Sequence, residues 1–394
     1  MSASNPRERN ADHSYSYIMP QPIPSYLMAL CAGDLAYQSL GDSCGVYAEP
    51  AQLAECAKEF EDLQTMIDQA SELYGAYRWG VYDVVVLPPS FPFGGMENPR
   101  LTFATPTIIA GDKSLVALIA HELAHSWSGN LVTNETWADF WLNEGFTVYF
   151  ENRIMEKIYG KPYSDMLTIL GMGDLQSTLK ELKETSPEDT RLYLDLDGRN
   201  PDDGVTDIAY EKGRFFLLMI EQVVGRENFD VFLNNYFKKK AFKTVTTKEF
   251  ISILNEDLLS KNPEWQEKVN IDEWVYQEGL PANCPQPKSV EFEKVQQDVK
   301  DFLENGKLPT TANYTTHHWL QFLRKLPEGM SLEQMKSLDS AFKLTETGNS
   351  EIACDWFKHA IMSKYEAAYP AMESFLIRVG RRKFLTPLYS RMVD

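Results

Sequence analysis

Short apolar runs broken by Pro, Gly and Asp open the chain, at residues 17–19, 26–31 and 46–48. That punctuation predicts β structure over residues 1 to about 56. From Pro50 the spacing changes: Leu53, Ala57, Phe60, Leu63, Met66 and Ile67 recur at helical intervals. Residues 81–87 form a dense β-branched run closed by Pro88 and Pro89, and a second strand is expected at 101–104 after a Gly/Pro loop. Beyond residue 110 the pattern is mostly helical. One helix is predicted from about 114 to 128, stopping at Gly129. A second runs from Trp141 to Gly160 and a third from Glu211 to Val224, bounded by Gly225. Residues 183–206 read as an acidic loop rich in Asp, Pro and Gly, and 279–289 as a linker. The remainder reads as several short amphipathic helices without a strict repeat.

Composition narrows the class. The 394 residues are 43% hydrophobic, 12% aromatic and 24% charged, which excludes wholesale disorder and a fibrous repeat. At about 100–200 residues per domain, two or three domains are expected. Thirty-eight basic against fifty-seven acidic residues leave a net charge of −19, which argues against nucleic acid or an anionic membrane as a partner. No apolar run approaches the ~18–20 residues of a membrane span. Five scattered cysteines without CxxC spacing, and an N-terminus without a hydrophobic signal core, predict reduced thiols and a cytoplasmic location.

The chemistry concentrates in HELAHSWSGNLVTNETWADFWLNEGFTVYFE, residues 121–151. His121 and His125 stand at i and i+4 on a predicted helix. Four residues rise about 6 Å and turn about 400°, so both imidazoles leave one face side by side. Two neutral imidazoles on a rigid helix suit zinc, and Glu122, next to the first, is placed to act as general base on water at the metal. A third ligand is needed. Glu144, nineteen residues after His125 at the start of the next predicted helix, returns its carboxylate to the histidines. By contrast His317 and His318 are adjacent and His359 is isolated, so these three read as surface or packed side chains.

These residues resemble the M1 zinc aminopeptidases, in which eighteen residues separate HExxH from a glutamate. Residues 94–98, Gly94-Gly95-Met96-Glu97-Asn98, resemble the family's GxMEN exopeptidase motif. LPPSFPFGGMENPRLTFATPT, AYEKG and GRRKFLTPLY are similar to the leukotriene A(4) hydrolase/aminopeptidase subfamily. The resemblance implies a mainly α fold with β portions: remnant N-terminal β strands (1–50), a thermolysin-like (gluzincin) catalytic domain (51–280), a linker (281–289) and a repeat-like C-terminal α-helical domain (290–394). The family's full β domain lies upstream of its catalytic domain, so the chain reads as an incomplete member with exposed strand edges.

The resemblance also distributes roles. It implies one zinc ion per chain, Glu97 as the ion-pair partner of the substrate's free ammonium, and Gly94 and Gly95 as backbone contacts to an extended peptide. Tyr210 is implied to stabilise the oxyanion, Asp202 to line the pocket for the first side chain, and Arg381 and Lys383 to grip a peptide carboxylate. Trp137, Phe140 and Trp141 read as core or pocket wall. Glu151, two helical turns after Glu144, reads either as an orienting partner of a ligand or as a solvated glutamate. The expected function is a monomeric zinc aminopeptidase acting on short peptides with a free N-terminus. Epoxide hydrolysis of a fatty-acid-derived epoxide at the same metal, and an inactive truncated peptide-binding protein, are the alternatives.

Overall fold

A computed structural model describes residues 10–393. Five strands form one sheet: β1 (Ala36–Ser39), β2 (Cys44–Ala48), β3 (Tyr82–Val86), β4 (Gly95–Met96) and β5 (Leu101–Ala104), in the order β1-β2-β3-β5-β4. The β2–β3 and β3–β5 pairs are parallel, and the outer pairs antiparallel. All five positions of β3 are buried, Asp83 among them, so a sheet covered on both faces explains why its valines run consecutively instead of alternating with polar residues. The early strands expected at 17–19 and 26–31 do not form; Ser25–Leu27 is a single 3-10 turn. Pro20, Pro22 and Pro24 each lack a ladder donor and fix φ, so this stretch runs as an extended strap instead. The strap is tied down by Asn98, whose side chain donates to the Leu27 carbonyl at 2.8 Å. The strand that does form upstream is β1. It and β2 share one sheet with β3 and β5.

Ten helices follow β2 as far as residue 276: α1 (Leu53–Glu59), α2 (Leu63–Tyr74), α3 (Ala117–Ala124), α4 (Trp141–Tyr159), α5 (Lys161–Thr185), α6 (Gly213–Val224), α7 (Arg226–Lys240), α8 (Thr247–Asp257), α9 (Pro263–Val269) and α10 (Ile271–Tyr276). After the irregular stretch 277–289 come α11 (Val290–Asn305), α12 (Thr316–Lys325), α13 (Leu332–Phe342), α14 (Ser350–Met362), α15 (Tyr369–Arg378) and α16 (Arg382–Val393). α3 is shorter than its sequence pattern. The chain turns after Ala124, and Gly129 takes φ +103 against the side chain of Asn143, where a Cβ would collide. The third expected helix is preceded by a π-helical turn, Ile208–Lys212, before α6 begins at Gly213.

Buried side chains form two large cores. One runs from Cys44 to Cys284 and includes a cluster of rings in which Phe146 meets Phe250 at 5.3 Å and Phe150 meets Phe237 at 5.4 Å. The other is built from the helices after residue 290 together with Met166 of α5. α5 therefore serves both, since Met172 and Leu175 sit in the first core. α4 and α6 cross at two glycines: a Cβ on Gly145 would stand 2.8 Å from the Cα of Gly213. This close approach sets the π-helical turn that precedes α6 beside the start of α4. No helix among the described residues is long and apolar enough to cross a membrane.

Candidate metal centre

α3 and the start of α4 bring three donors together. His121 Nε2 lies 3.2 Å from His125 Nε2 and 3.2 Å from Glu144 Oε2, and His125 Nε2 lies 3.6 Å from that same oxygen. Ligands at about 2.05 Å from a tetrahedral zinc stand about 3.3 Å from one another, so the three atoms already occupy one face of such a site. Both Nδ1 atoms are engaged outward. That of His121 meets Glu151 Oε2 at 3.1 Å, and that of His125 meets the Ser128 carbonyl at 3.0 Å, with Thr147 Oγ1 at 3.1 Å. Donating a proton outward leaves each Nε2 with a lone pair aimed at the other, an arrangement that a cation between them stabilises. Glu144 Oε2 is buried with no hydrogen-bond partner. The donor set and its spacing fit zinc.

The electrostatics agree. Burial opposes charge on His121, yet Glu144 and Glu151 raise it well above the ordinary histidine value. Glu144 stays below the carboxylate range: burial pushes it up, but His125, His121 and a hydrogen bond from Tyr210 outweigh that. Glu122 is held well above its ordinary value by burial and then by the carboxylates of Glu97 and Glu144, partly offset by His121. Its Oε2 has no partner. Gly95 is what lets it sit there, because a Cβ on that residue would collide with the Glu122 carboxylate. Tyr210, on the π-helical turn, stacks on His121 at 6.2 Å and meets Phe140 edge-on at 6.0 Å. Single π-helical turns concentrate at functional sites because they re-aim one side chain.

Comparison with known proteins follows the same line. A family model described as Peptidase family M1 domain matches residues 58–275, more than half of the chain, and one described as Leukotriene A4 hydrolase, C-terminal, matches residues 314–394. The chain belongs to peptidase family M1. Leucine aminopeptidase 2 of Yarrowia lipolytica is 39% identical over 391 residues, covering 93% of this chain and 60% of that relative. A leukotriene A-4 hydrolase homolog of Botryotinia fuckeliana is 37% identical over 388 residues, covering 96% of this chain and 60% of the relative. The structure of yeast leukotriene A4 hydrolase with bestatin superposes with a TM-score of 0.88 at 34% identity, over 95% of this chain and 65% of that one. An M1 zinc metallopeptidase of Deinococcus radiodurans, at 24% identity and a TM-score of 0.55 over 70% of this chain, shares the fold. The chain thus spans about three fifths of the length of the curated relatives it matches.

The remaining M1 motif residues surround a cavity of about 820 Å³ that opens beside the three donors. Gly94, Gly95, Met96 and Glu97 line it. Asn98 does not: it is the strap anchor described above. Glu97 has a carboxylate oxygen within 4.8 Å of ligating atoms of Glu122 and His125, and Tyr26 donates to it at 3.5 Å. Asp202 lines the cavity, whereas its neighbour Asp203 does not and lies 3.7 Å from Arg199. Arg381, also on the cavity lining, is buried, 3.1 Å from Thr107 Oγ1 and 3.7 Å from Glu351, and Lys383 meets Glu351 at 2.7 Å. Gly94 makes room here, since its Cβ would stand 2.7 Å from Arg381 Nη2. Trp137 and Phe140 form cavity wall, while Trp141 is core, its Nε1–H donating to Thr247 Oγ1 at 3.0 Å.

Several site residues escaped the sequence reading. Tyr26 carried no motif, and its link to Glu97 spans 71 positions. Glu151 was readable through its two-turn spacing, and the contact with His121 selects the orienting role. His317, Arg324 and Glu351 come from the C-terminal helices and also line the cavity. The three histidines after residue 300 are all buried: His318 accepts from the Thr315 backbone N–H at 3.2 Å as a helix cap, and His359 Nε2 meets the Leu323 carbonyl at 2.8 Å.

Proposed function

We propose that the chain is a zinc aminopeptidase that removes N-terminal residues from short peptides, with one zinc ion held by His121, His125 and Glu144. The observation that carries this reading is the triangle of three donors at tetrahedral spacing, with both Nδ1 atoms turned away and Glu122 and Glu97 beside it. A zinc ion held by these three residues would supply Lewis-acid polarisation of the scissile carbonyl and would lower the pKa of a bound water toward about 7. The chain's own residues do the rest. Glu97 pairs with the substrate ammonium and so sets the cut after the first residue. Glu122 takes the proton of the attacking water and passes it to the leaving amine. The Tyr210 hydroxyl donates to the oxygen on which charge develops. Asp202, at the cavity wall, favours Arg or Lys as the first residue, and Arg381 and Lys383 receive the peptide carboxylate.

The test is turnover of an aminoacyl fluorogenic amide by the purified chain, with and without a chelator, beside metal analysis. Chelator-sensitive hydrolysis and one equivalent of zinc support the reading. Stoichiometric zinc with peptide binding but without turnover supports the non-catalytic peptide-binding alternative instead. A second activity, epoxide hydrolysis of a fatty-acid-derived epoxide, is favoured by the apolar wall of the same cavity, where Leu115, Leu118, Leu167, Leu170 and Leu320 lie together. Formation of a diol from an epoxy fatty acid is its test.

A further inference from the structure

A second cavity of about 850 Å³ lies between the two hydrophobic cores. It shares Leu170, Asp174 and Arg324 with the cavity beside the metal centre, so these three residues are the partition between them. Arg324 Nη1 meets Asp174 Oδ1 at 3.2 Å, with the Asp174 side chain half exposed. A pair open to solvent on one side is weakly held and screened by salt. Arg324 has a second anchor, Asp355, at 3.0 Å from its Nε. It can release Asp174 and keep its place.

The chemistry of the second cavity favours anions. Its walls carry Lys180, Lys325, Lys358, Arg391 and Arg324 against three carboxylates. Lys358 and Arg391 are matched, to Asp355 at 2.7 Å and Glu328 at 2.6 Å, while Lys180 and Lys325 make no ion pair among the described residues. Such a local cationic surplus on a chain of net charge −19 raises the concentration of anionic solutes there.

We infer that the Arg324–Asp174 pair is a removable partition, and that the second cavity is a rear passage through which carboxylate-bearing peptide products leave the reaction cavity. Hydrolysis at the metal centre produces a free amino acid and a shortened peptide, both carrying a carboxylate. Arg381 and Lys383, proposed above to receive the peptide carboxylate, line the reaction cavity only, whereas Arg324 lines both cavities. The passage's role in turnover rests on the aminopeptidase reading; its existence does not.

Gly173 offers a way to obstruct it. The residue is exposed on α5, lines the second cavity, and has nothing within 4 Å of where a Cβ would stand, so Gly173→Trp adds bulk there without disturbing a core. In a Leu167→Cys chain, whose thiol lies in the reaction cavity only, the rate of reaction with an anionic methanethiosulfonate reports access. Adding Gly173→Trp should slow that reaction about fivefold and slow a cationic reagent less; adding Asp174→Asn should speed it. The chain without the introduced cysteine, treated identically, corrects for the half-buried Cys31. With substrates, Gly173→Trp should lower kcat on a tripeptide about fivefold and slow an aminoacyl amide less, because its one carboxylate product is the small free amino acid and no peptide has to leave. Labelling rates indifferent to Gly173→Trp overturn the passage. If the parent chain hydrolyses neither substrate, the aminopeptidase reading fails, and the labelling result still decides the passage by itself.

Discussion

At the scale of single residues, the arrangement of hydrogen bonds around the two imidazoles separates ligands from bystanders. His121 is fixed through Glu151, so Glu151→Gln should weaken zinc binding about 10–100-fold, read by titration against a competing chelator. Glu122→Gln keeps the three donors and removes the proton acceptor; kcat/KM on an aminoacyl amide should fall about a thousandfold with zinc content unchanged. Tyr210→Phe should cost about a hundredfold in kcat with little change in KM, the signature of a contact made to the developing oxyanion. His121, Glu122, His125 and Glu144 were legible because their relation is local, one helical turn plus a return on the next helix. Tyr26 and His317 were not, because a side chain contributed from 71 positions away, or from a separate helical region, leaves no periodic trace. Asn98 shows the converse, a motif position whose side chain serves the backbone of the strap.

At the scale of elements, Gly145 and Gly213 decide how closely α4 and α6 approach, and thereby how Tyr210 reaches Glu144. Gly145→Ala forces a Cβ into the opposite backbone, and overpacking of that kind costs about 1–3 kcal/mol. The urea midpoint should fall accordingly, and the remaining folded protein should lose kcat beyond what its folded fraction accounts for. The sequence pattern located α4 to within a residue at its ends because the apolar spacing begins at Trp141 and Gly160 stops it. It failed at the strap, where Tyr17, Ile18, Tyr26 and Leu27 look strand-like but Pro20, Pro22 and Pro24 outweigh them. The π-helical turn was also beyond it, since a single extra residue in a helix has no compositional signal.

For the molecule as a whole, the two cores meet along the cavity, and that junction holds a pH-sensitive group. Burial, with His318 nearby, lowers His317 to about 4 from 6.5. Between those values the unfolded chain binds a proton that the native chain does not, so stability rises with pH through this window and is lost as the pH falls from 6.5 toward 4. The span corresponds to about 3 kcal/mol, and His317→Asn should flatten that part of the stability–pH curve measured by urea titration. Helix α5 has a consequence of its own. Its 25 residues reach about 37 Å, and it lends Met166 to one core and Met172 and Leu175 to the other. A rod built into both cores couples their melting, so calorimetry should record one heat-absorption peak rather than two, and a protease should leave no long-lived half-molecule on the way down.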